Sequence, residues 1–385
     1  MNLTEKLYES DAFLTSMPAK VLACEPYKTG YAIVLNRTVF YPEGGGQPCD
    51  KGKLDGQDVT FVFIRDGIVY HVVPQPIEVG KTVFGVIDWA RRFDFMQQHS
   101  GEHIATGLAF RIFGANNVGF HLTETSVVLD VDKELGAKEI AQIEDAANRA
   151  IYENVPVYAG YPTDEELEKL AFRSKLERIH GDEIRIVEVP NCDVCACCGT
   201  HVAFTGQVGV VKILDYQKHR QGTRITMAAG RRAIKDYAEH QTQVNQISAL
   251  LSAKPELVAG AVQRVLNEQE EMRSEMSALK NEWIALKLRD VPIGKKYTFY
   301  NEPNLKPDVL RRMVLALMER SEGICAVFSL DEAGAFKYAV GSNTEDMRAF
   351  GKEMNAVLRG KGGGGKELIQ GSVTVRLEEI EGFFG

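Results

Sequence analysis

The first 88 residues contain β-branched and aromatic runs separated by Gly, Asp, Asn or Pro, and from Trp89 the apolar spacing becomes helical. Examples of the runs are Tyr31-Ala32-Ile33-Val34-Leu35 and Thr82-Val83-Phe84-Gly85-Val86-Ile87. Short strands at such even intervals predict a small antiparallel β-barrel over residues 1–88.

The next zone, residues 89–230, mixes helices with strands. Apolar residues at helical spacing predict a helix that begins at Trp89 and stops at Gly114. Its predicted buried stripe consists of Phe93, Met96, Ile104, Leu108, Ile112 and Phe113. Further helices are predicted at about 136–153 and within 164–178, and strands near 125–131, 183–189, 208–214 and 223–228. This alternation predicts an α+β domain.

Residues 231–290 predict a helical hairpin or coiled-coil arm. An earlier helix ends near Leu251, and from Val258 to Leu286 apolar residues alternate at spacings of four and three with only Gln269 polar. This heptad seam fits packing within one chain or between two copies, so a homodimer through the arm and the C-terminal domain is one of two open interpretations.

The last zone, residues 291–385, returns to a mixed α/β pattern. It contains Gly360-Lys361-Gly362-Gly363-Gly364-Gly365-Lys366, which has no Gly-Lys-Ser/Thr ending of a P-loop. We expect a flexible loop here, with phosphate binding by its amides and lysines as the alternative.

Composition limits the class of protein. The chain has 385 residues, 44% of them hydrophobic and 25% charged, and no apolar run approaches the ~20 residues that a membrane span needs. The N-terminus lacks the basic-then-apolar pattern of a signal peptide, so the cytosol is the expected compartment. A net charge of -8 argues against indiscriminate nucleic-acid binding, although a local basic strip runs from Lys212 to Lys235.

Two segments carry potential metal ligands. His99 and His103 are four residues apart, as are Cys197 and His201, and side chains at that spacing on a helix or helix-like turn point to one side. Three imidazoles and a thiolate suit Zn²⁺ in tetrahedral geometry. The spacing leaves open whether the site is structural or catalytic.

The sequence resembles a known family at four places in the right order. These are Phe40-Tyr41-Pro42-Glu43-Gly44-Gly45-Gly46-Gln47-Pro48, the His99/His103 helix, the Cys197 to His201 segment, and the C-terminal glycine-rich segment. Together they resemble the AlaX proteins of the long class, which are free-standing relatives of the alanyl-tRNA synthetase editing domain. The resemblance covers nearly the whole chain.

The resemblance implies zinc-dependent hydrolysis of the ester between tRNA(Ala) and a wrong amino acid, chiefly serine, with glycine as the second candidate. It implies that His99, His103, Cys197 and His201 hold the zinc, and that Thr38 and Gln47 help to recognise the aminoacyl group. We add Gly45 and Gly46, whose backbone can approach a ligand closely, as substrate-binding candidates. From the basic strip we add Lys218, Arg220 and Arg224 as tRNA contacts.

One position departs from the family pattern Cys-Gly-Gly-Thr-His, because Cys198 stands at its second place. Cys192 and Cys195 add two more thiols nearby, which leaves open which sulfur binds the metal.

Two other functions are weighed against editing. His99-Ser100-Gly101-Glu102-His103 also matches the His-x-x-Glu-His of inverted zinc proteases, in which the Glu is a general base. That interpretation needs a downstream acidic ligand and leaves Cys197 and His201 unexplained. The third interpretation is a non-catalytic RNA-binding protein with a closed zinc site.

Overall fold

The computed structural model describes residues 3–28, 30–173 and 184–385. The chain forms two units, Met1–Val244 and Asn245–Gly385, each with its own buried apolar clusters. Helices and mainly antiparallel strands occur in both units, so the predicted α+β class is confirmed. The unit boundary falls inside the helix Gly230–Leu251, and the four predicted domains stay a prediction.

The first unit begins with a seven-stranded antiparallel sheet that is nearly closed. Its strands, in spatial order, are Gln57–Val59, Gly52–Leu54, Thr82–Ile87, Ser16–Tyr27, Gly30–Leu35, Ile68–Val73 and Phe61–Arg65. The first and last strands in this order are separated along the chain by Thr60 alone, so the sheet curls back on itself. In Thr82–Ile87 exposed and buried side chains alternate strictly, as expected of a strand with one face on the core. The predicted barrel therefore has the form of a nearly closed, barrel-like sheet.

Beside this sheet, the strand Glu5–Lys6 pairs in parallel with Arg37–Thr38 and is followed by the short helix Leu7–Ser10.

A long helix, Trp89–Phe113, connects the barrel to the rest of the first unit. Asp88 caps its N-terminus by accepting from Arg91 N, and Gly114 ends it in the left-handed conformation at φ 64°. Both ends agree with the sequence prediction. The helix is buried along most of its length, so its polar side chains face protein rather than solvent.

The remaining elements of the first unit form two sheets and three helices among the described residues. A four-stranded antiparallel sheet has the spatial order Asn117–Leu122, Val127–Val131, Gly222–Ala229 and Val211–His219. A three-stranded antiparallel sheet has the order Tyr158–Gly160, Ile186–Val189 and Asp193–Ala196. The helices are Ala137–Glu153, Asp164–Lys169 and Gly230–Leu251, with a 3₁₀ turn at Thr205–Val208. The helix predicted within 164–178 is thus shorter, and residues 174–178 lie outside the described residues.

The second unit contains a five-stranded sheet in the order Tyr297–Asn301, Ile324–Leu330, Phe336–Gly341, Leu368–Val373 and Lys361–Gly364. Its first pair is parallel and the other pairs are antiparallel. The 3₁₀ turn Pro255–Leu257 is followed by the helices Val258–Leu288, Pro307–Met318, Met347–Val357 and Leu377–Phe384.

The glycine-rich segment is not the flexible loop that the sequence predicts, because Lys361–Gly364 is an edge strand paired with Leu368–Val373. Glycine has low strand propensity, so backbone pairing with a neighbour decides the conformation here.

The heptad seam on Val258–Leu288 is exposed. Met272, Leu279 and Leu286 are 62, 60 and 65% exposed, whereas Ile284 and Leu288 on the same helix belong to a buried cluster. The predicted homodimer through this arm stays a prediction. Within the described ranges, no helix is both long enough and apolar enough to cross a bilayer.

Candidate metal centre

Three imidazoles and one thiolate converge at one point of the first unit. The ligand atoms of His99, His103, Cys197 and His201 all lie within 4.8 Å of one another. Cys197 Sγ is 3.5 Å from His99 Nε2 and 3.4 Å from His201 Nε2. Tetrahedral zinc with its usual bond lengths separates a sulfur from a nitrogen ligand by about 3.6 Å, so the donor set and its spacing fit this ion.

Two structural elements bring these ligands together. His99 and His103 lie one helical turn apart on Trp89–Phe113, while Cys197 and His201 come from the loop that follows the strand Asp193–Ala196. The loop approaches the helix so closely that a Cβ at Gly199 would lie 2.1 Å from His99 Cε1. Position 199 therefore accepts only glycine, because any side chain there would collide with His99.

Gln47 holds the ring of His99 from the barrel side. Gln47 Oε1 accepts from Thr200 N at 3.2 Å and lies 2.9 Å from His99 Nδ1, while its Nε2 donates to Thr200 Oγ1. Because Gln47 Oε1 only accepts, His99 Nδ1 carries the proton and His99 Nε2 presents its lone pair to the centre. Gln47 is thus a partner of a ligand, a role that the sequence alone did not assign.

The other two imidazoles are held by residues that the sequence analysis missed. His103 Nδ1 lies 2.9 Å from Asp193 Oδ2, and Arg173 donates to both oxygens of this carboxylate at 2.6 Å. Ser100 Oγ lies 3.1 Å from His201 Nδ1. Such partners orient metal-binding histidines in general. A search for an acid near the Cys197 segment would have found Asp193, whereas Ser100 has no distinguishing signal in the sequence.

The protonation states favour metal binding by Cys197. Burial raises the pKa of its thiol, but the nearby imidazoles of His99, His103 and His201 outweigh this and hold the pKa well below its ordinary value. Burial lowers the pKa of His201 to about 3, whereas the Cys197 thiolate and the Asp193 carboxylate outweigh burial and raise the pKa of His103 well above its ordinary value. Zinc binds a thiolate and neutral imidazoles, so His103 would release its proton when zinc binds.

The three other clustered cysteines differ from Cys197. Burial raises the pKa of Cys192 and of Cys195 to about 11 and also raises that of Cys198. Cys195 forms a second possible ligand group with His103 and Asp193. In that group the Asp193 carboxylate is already paired with Arg173, so Cys197 is the sulfur that the geometry and the charge distribution both favour.

A cavity of about 850 Å³ opens onto the centre. Ligands His99, His103 and Cys197 line it together with Gly45 from the barrel and Phe120, whose ring stacks on His99 at 5.2 Å. Gly46 lets this ring approach, because a Cβ there would lie 2.7 Å from Phe120 Cδ1. The volume of the cavity is in the range of small-molecule sites, so the cavity can hold a solute beside the ligand atoms that line it.

The predicted substrate-binding residues of the barrel differ in their positions. Gly45 and Gly46 have the positive φ values expected of them, 57° and 85°. Thr38 is fully buried and is not among the residues that line the cavity.

Thr38 Oγ1 accepts from Phe40 N and lies 2.7 Å from His71 Nε2. Burial lowers the pKa of His71 to about 4, so its ring is neutral. Its Nδ1 lies 3.1 Å from Ile33 O and donates to it, so Nε2 accepts a hydrogen bond from the Thr38 hydroxyl.

The predicted tRNA contacts lie on the hairpin formed by Val211–His219 and Gly222–Ala229, outside the cavity lining. Arg224 donates to both oxygens of Asp130 at 2.7 and 2.8 Å, and Lys218 pairs with Glu134. Arg220, at the turn, has no ion pair within the described part of the chain.

We expect Gln47→Leu to weaken zinc affinity by about 10- to 100-fold, the usual effect of losing a partner that orients a ligand. The measurement is the zinc Kd from competition with a chelator. Gln75→Leu, at an exposed glutamine of the same barrel, is the matched control. Equal zinc affinity in the two variants would show that Gln47 does not position His99.

Two family models match this sequence. The model of the threonyl and alanyl tRNA synthetase second additional domain matches residues 184–226, which include Cys197, His201 and the basic hairpin. The model of class II (A) tRNA synthetases matches residues 13–91, which include most of the barrel.

Similar proteins match over nearly the whole chain. The alanine–tRNA ligase of Pyrococcus abyssi is 32% identical over 96% of this chain, which spans only 42% of that ligase. The alanyl-tRNA editing protein AlaX-L of Pyrococcus horikoshii is 28% identical over 98% of this chain and 96% of its own length. The alanyl-tRNA editing protein Aarsd1 of Rattus norvegicus is 28% identical over 97% of this chain and 95% of its own length. The chain therefore resembles, over nearly its whole length, proteins named alanyl-tRNA editing proteins, and it is similar to part of alanine–tRNA ligase.

Proposed function

We propose that this protein is a trans-editing deacylase, which hydrolyses the ester that joins a wrong amino acid, chiefly serine and also glycine, to tRNA(Ala). The observation that carries the proposal is the cavity that opens onto His99, His103 and Cys197. Its walls bring the barrel loop and the ligand loop together, in a chain whose full-length relatives are named alanyl-tRNA editing proteins.

Hydrolysis of an aminoacyl ester requires the site mainly to position the reactants. An aminoacyl ester is already activated, so the site must orient water, anchor the substrate and stabilise the developing oxyanion. A bound zinc ion would supply Lewis acidity at this point. Gln47 and Asp193 keep His99 and His103 in the tautomer that leaves Nε2 free, and the Gly45 backbone lets a substrate approach closely.

The site lacks features that a protease of the His-x-x-Glu-His type needs. Its four converging ligands include no carboxylate among the described residues. Glu102 Oε1 accepts from Asn117 at 2.6 Å and from Thr106 at 3.1 Å, while its Oε2 lies 4.0 Å from His103 Nε2. The ligand set, rather than the position of Glu102, therefore argues against the protease.

A closed structural site is also disfavoured, because the ligand atoms border an open cavity. The deciding assay is deacylation of tRNA(Ala) charged separately with serine, glycine and alanine, using purified protein with and without a chelator. We expect chelator-sensitive loss of serine with alanine spared. No hydrolysis of any of the three by zinc-loaded protein would overturn the proposal.

Thr38 is the proposed contact for the serine hydroxyl, and because it is fully buried outside the cavity lining, this contact requires the barrel wall to shift when substrate binds. Its Oγ1 already donates to His71 and accepts from Phe40 N, so one lone pair stays available to accept a further hydrogen bond. A site that hydrogen-bonds a substrate hydroxyl rejects a substrate without it, in the strongest cases by about 10⁴-fold or more. We expect Thr38→Val to slow serine clearance by about 10-fold or more and glycine clearance much less, measured as the ratio of kcat/KM values. Wild-type clearance of serine by Thr38→Val would exclude the contact.

The basic hairpin is the proposed surface for the tRNA backbone. Because Lys218 and Arg224 are partly neutralised by Glu134 and Asp130, we expect Arg220 to contribute most. The triple change of Lys218, Arg220 and Arg224 to Gln should lower affinity and reduce the salt slope by about 1 to 3 units, measured on tRNA(Ala) over a salt series. A control with Lys51, Lys53 and Lys81 changed to Gln removes the same charge from the barrel. An equal loss in both variants would count against a localised contact.

A further inference from the structure

Three arginines line the cavity that opens onto the candidate metal centre: Arg111, Arg173 and Arg185. Arg111 is exposed, and Arg173 is paired with Asp193. Arg185 is 5% exposed and has no carboxylate within ion-pair distance in residues 3–28, 30–173 or 184–385. Within the described residues it is therefore a buried positive charge that has no carboxylate partner.

A second buried arginine, Arg92, has a carboxylate partner. Arg92, which is fully buried, donates to the Asp50 carboxylate and to the carbonyls of Ala12 and Val39. Leaving a buried charge unpaired is costly. The absence of a partner for Arg185 within the described part of the chain thus needs an explanation.

The hydrogen bonds of Arg185 leave one edge of its guanidinium unused. Its Nη1 donates to Cys197 O at 3.0 Å and to Gly199 O at 2.9 Å. Its Nε is buried without a partner, and Nη2 makes no hydrogen bond to any described residue. The Nε/Nη2 edge is the one that binds phosphate and carboxylate in a bidentate manner.

The contacts of Arg185 place it against the loop that carries two of the metal ligands. Arg185 is anchored to the loop that carries the ligands Cys197 and His201, and its backbone oxygen also accepts from Cys197 N at 3.0 Å. The Cys197 sulfur faces His99 and His201, so it does not neutralise the unused edge by contact.

Among the described residues, the groups near Arg185 are neutral phenols and a carboxylate that is already paired. Tyr41 and Tyr161 interact with Arg185 electrostatically, and burial raises the pKa of both phenols, which are therefore neutral at pH 7. The nearby Glu9 carboxylate accepts from Tyr161 and pairs with Lys6.

We propose that Arg185 binds the phosphodiester that precedes the terminal, aminoacylated nucleoside of the RNA. This inference rests on the proposed function and adds an anion subsite one ribose away from the ester. The phosphate supplies the missing counter-ion, and the bidentate edge fixes the nucleoside so that its ester reaches the cavity beside His99 and Cys197. Arg185 is then a positioning residue rather than a catalytic one.

The test compares two non-hydrolysable compounds. One is 3′-(L-seryl)amino-3′-deoxyadenosine, and the other carries a methyl phosphodiester at its 5′ oxygen. Wild-type protein loaded with zinc should bind the phosphodiester compound about 10- to 100-fold more tightly in calorimetry at fixed salt, as expected for charge-assisted hydrogen bonds. In Arg185→Met this ratio should fall to about 3 or less. Arg111→Met removes the same charge from an exposed position of the same cavity and should keep the wild-type ratio.

Three results would overturn the subsite: no preference for the phosphodiester in wild type, an undiminished ratio in Arg185→Met, or no binding of either compound. If Arg185 instead holds the carboxylate of the released amino acid, free L-serine will bind in an Arg185-dependent way without any phosphodiester preference. If Arg185 only supports the loop, both compounds will weaken equally and the ratio will persist. Because the compounds are not hydrolysed, a failure of editing itself appears separately, in the deacylation of seryl-tRNA(Ala).

Discussion

Replacing Cys197 with alanine should remove the metal and abolish deacylation. Cys197 Sγ lies 3.4 to 3.5 Å from His201 and His99 and is the thiol whose pKa falls well below its ordinary value. Losing a residue that only orients a ligand costs about 10- to 100-fold, so losing the ligand itself should exceed about 100-fold in zinc affinity and in kcat/KM. Zinc content by mass spectrometry and hydrolysis of seryl-tRNA(Ala) measure the two effects.

Cys198→Ala is the matched control for this change, because the adjacent thiol lines the same cavity but lies outside the ligand cluster. We expect it to keep zinc and activity. If Cys198→Ala lost the metal while Cys197→Ala retained it, the sulfur would be wrongly assigned. If both variants bound zinc normally, the three imidazoles would suffice, and Cys197 would be no ligand.

The second large effect is on stability. Arg92 is fully buried and donates through Nε and Nη2 to Asp50, which also accepts from Tyr41 N at 2.7 Å. This ion pair links the barrel segment 41–50, which contains Gly44-Gly45-Gly46, to the helix that carries His99. Arg92→Met leaves the Asp50 carboxylate buried and unpaired, so we expect unit Met1–Val244 to lose about 3 to 5 kcal/mol of unfolding free energy.

The measurement is denaturant unfolding, with the transition of the first unit resolved from that of the second. Arg149→Met is the control, because the Arg149 and Asp145 side chains of that pair are 72 and 65% exposed and the change should cost less than about 1 kcal/mol. The double variant Arg92→Met/Asp50→Asn removes the unpaired charge and keeps an acceptor for Tyr41 N, so it should recover part of the loss. A destabilisation no larger than in Arg149→Met would contradict the argument.

The sequence by itself determined the elements whose cause is local. Trp89–Phe113 begins after Asp88 and ends at Gly114 as expected, because a capping side chain and a residue tolerant of positive φ act on the nearest turn. Likewise, the strand Thr82–Ile87 follows from its own composition. The ligand types were also readable, since imidazoles or thiolates four residues apart on a helix or tight turn face one side.

Only the tertiary structure decided what those elements meet. Gln47 bonds to His99 across 52 positions of the chain, and no local pattern predicts that contact. The same holds for Lys361–Gly364, which is a strand because a neighbouring strand satisfies its backbone. It also holds for Arg224, which appears free in the sequence but is paired with Asp130.

The physical reason is that burial and pairing depend on groups distant along the chain. The type of a residue limits the partners with which it can interact. The tertiary structure determines which of those partners lie next to it. Arg92 and Arg185 are both arginines with nearly complete burial, and only their surroundings distinguish a paired structural charge from one that has no carboxylate partner among the described residues.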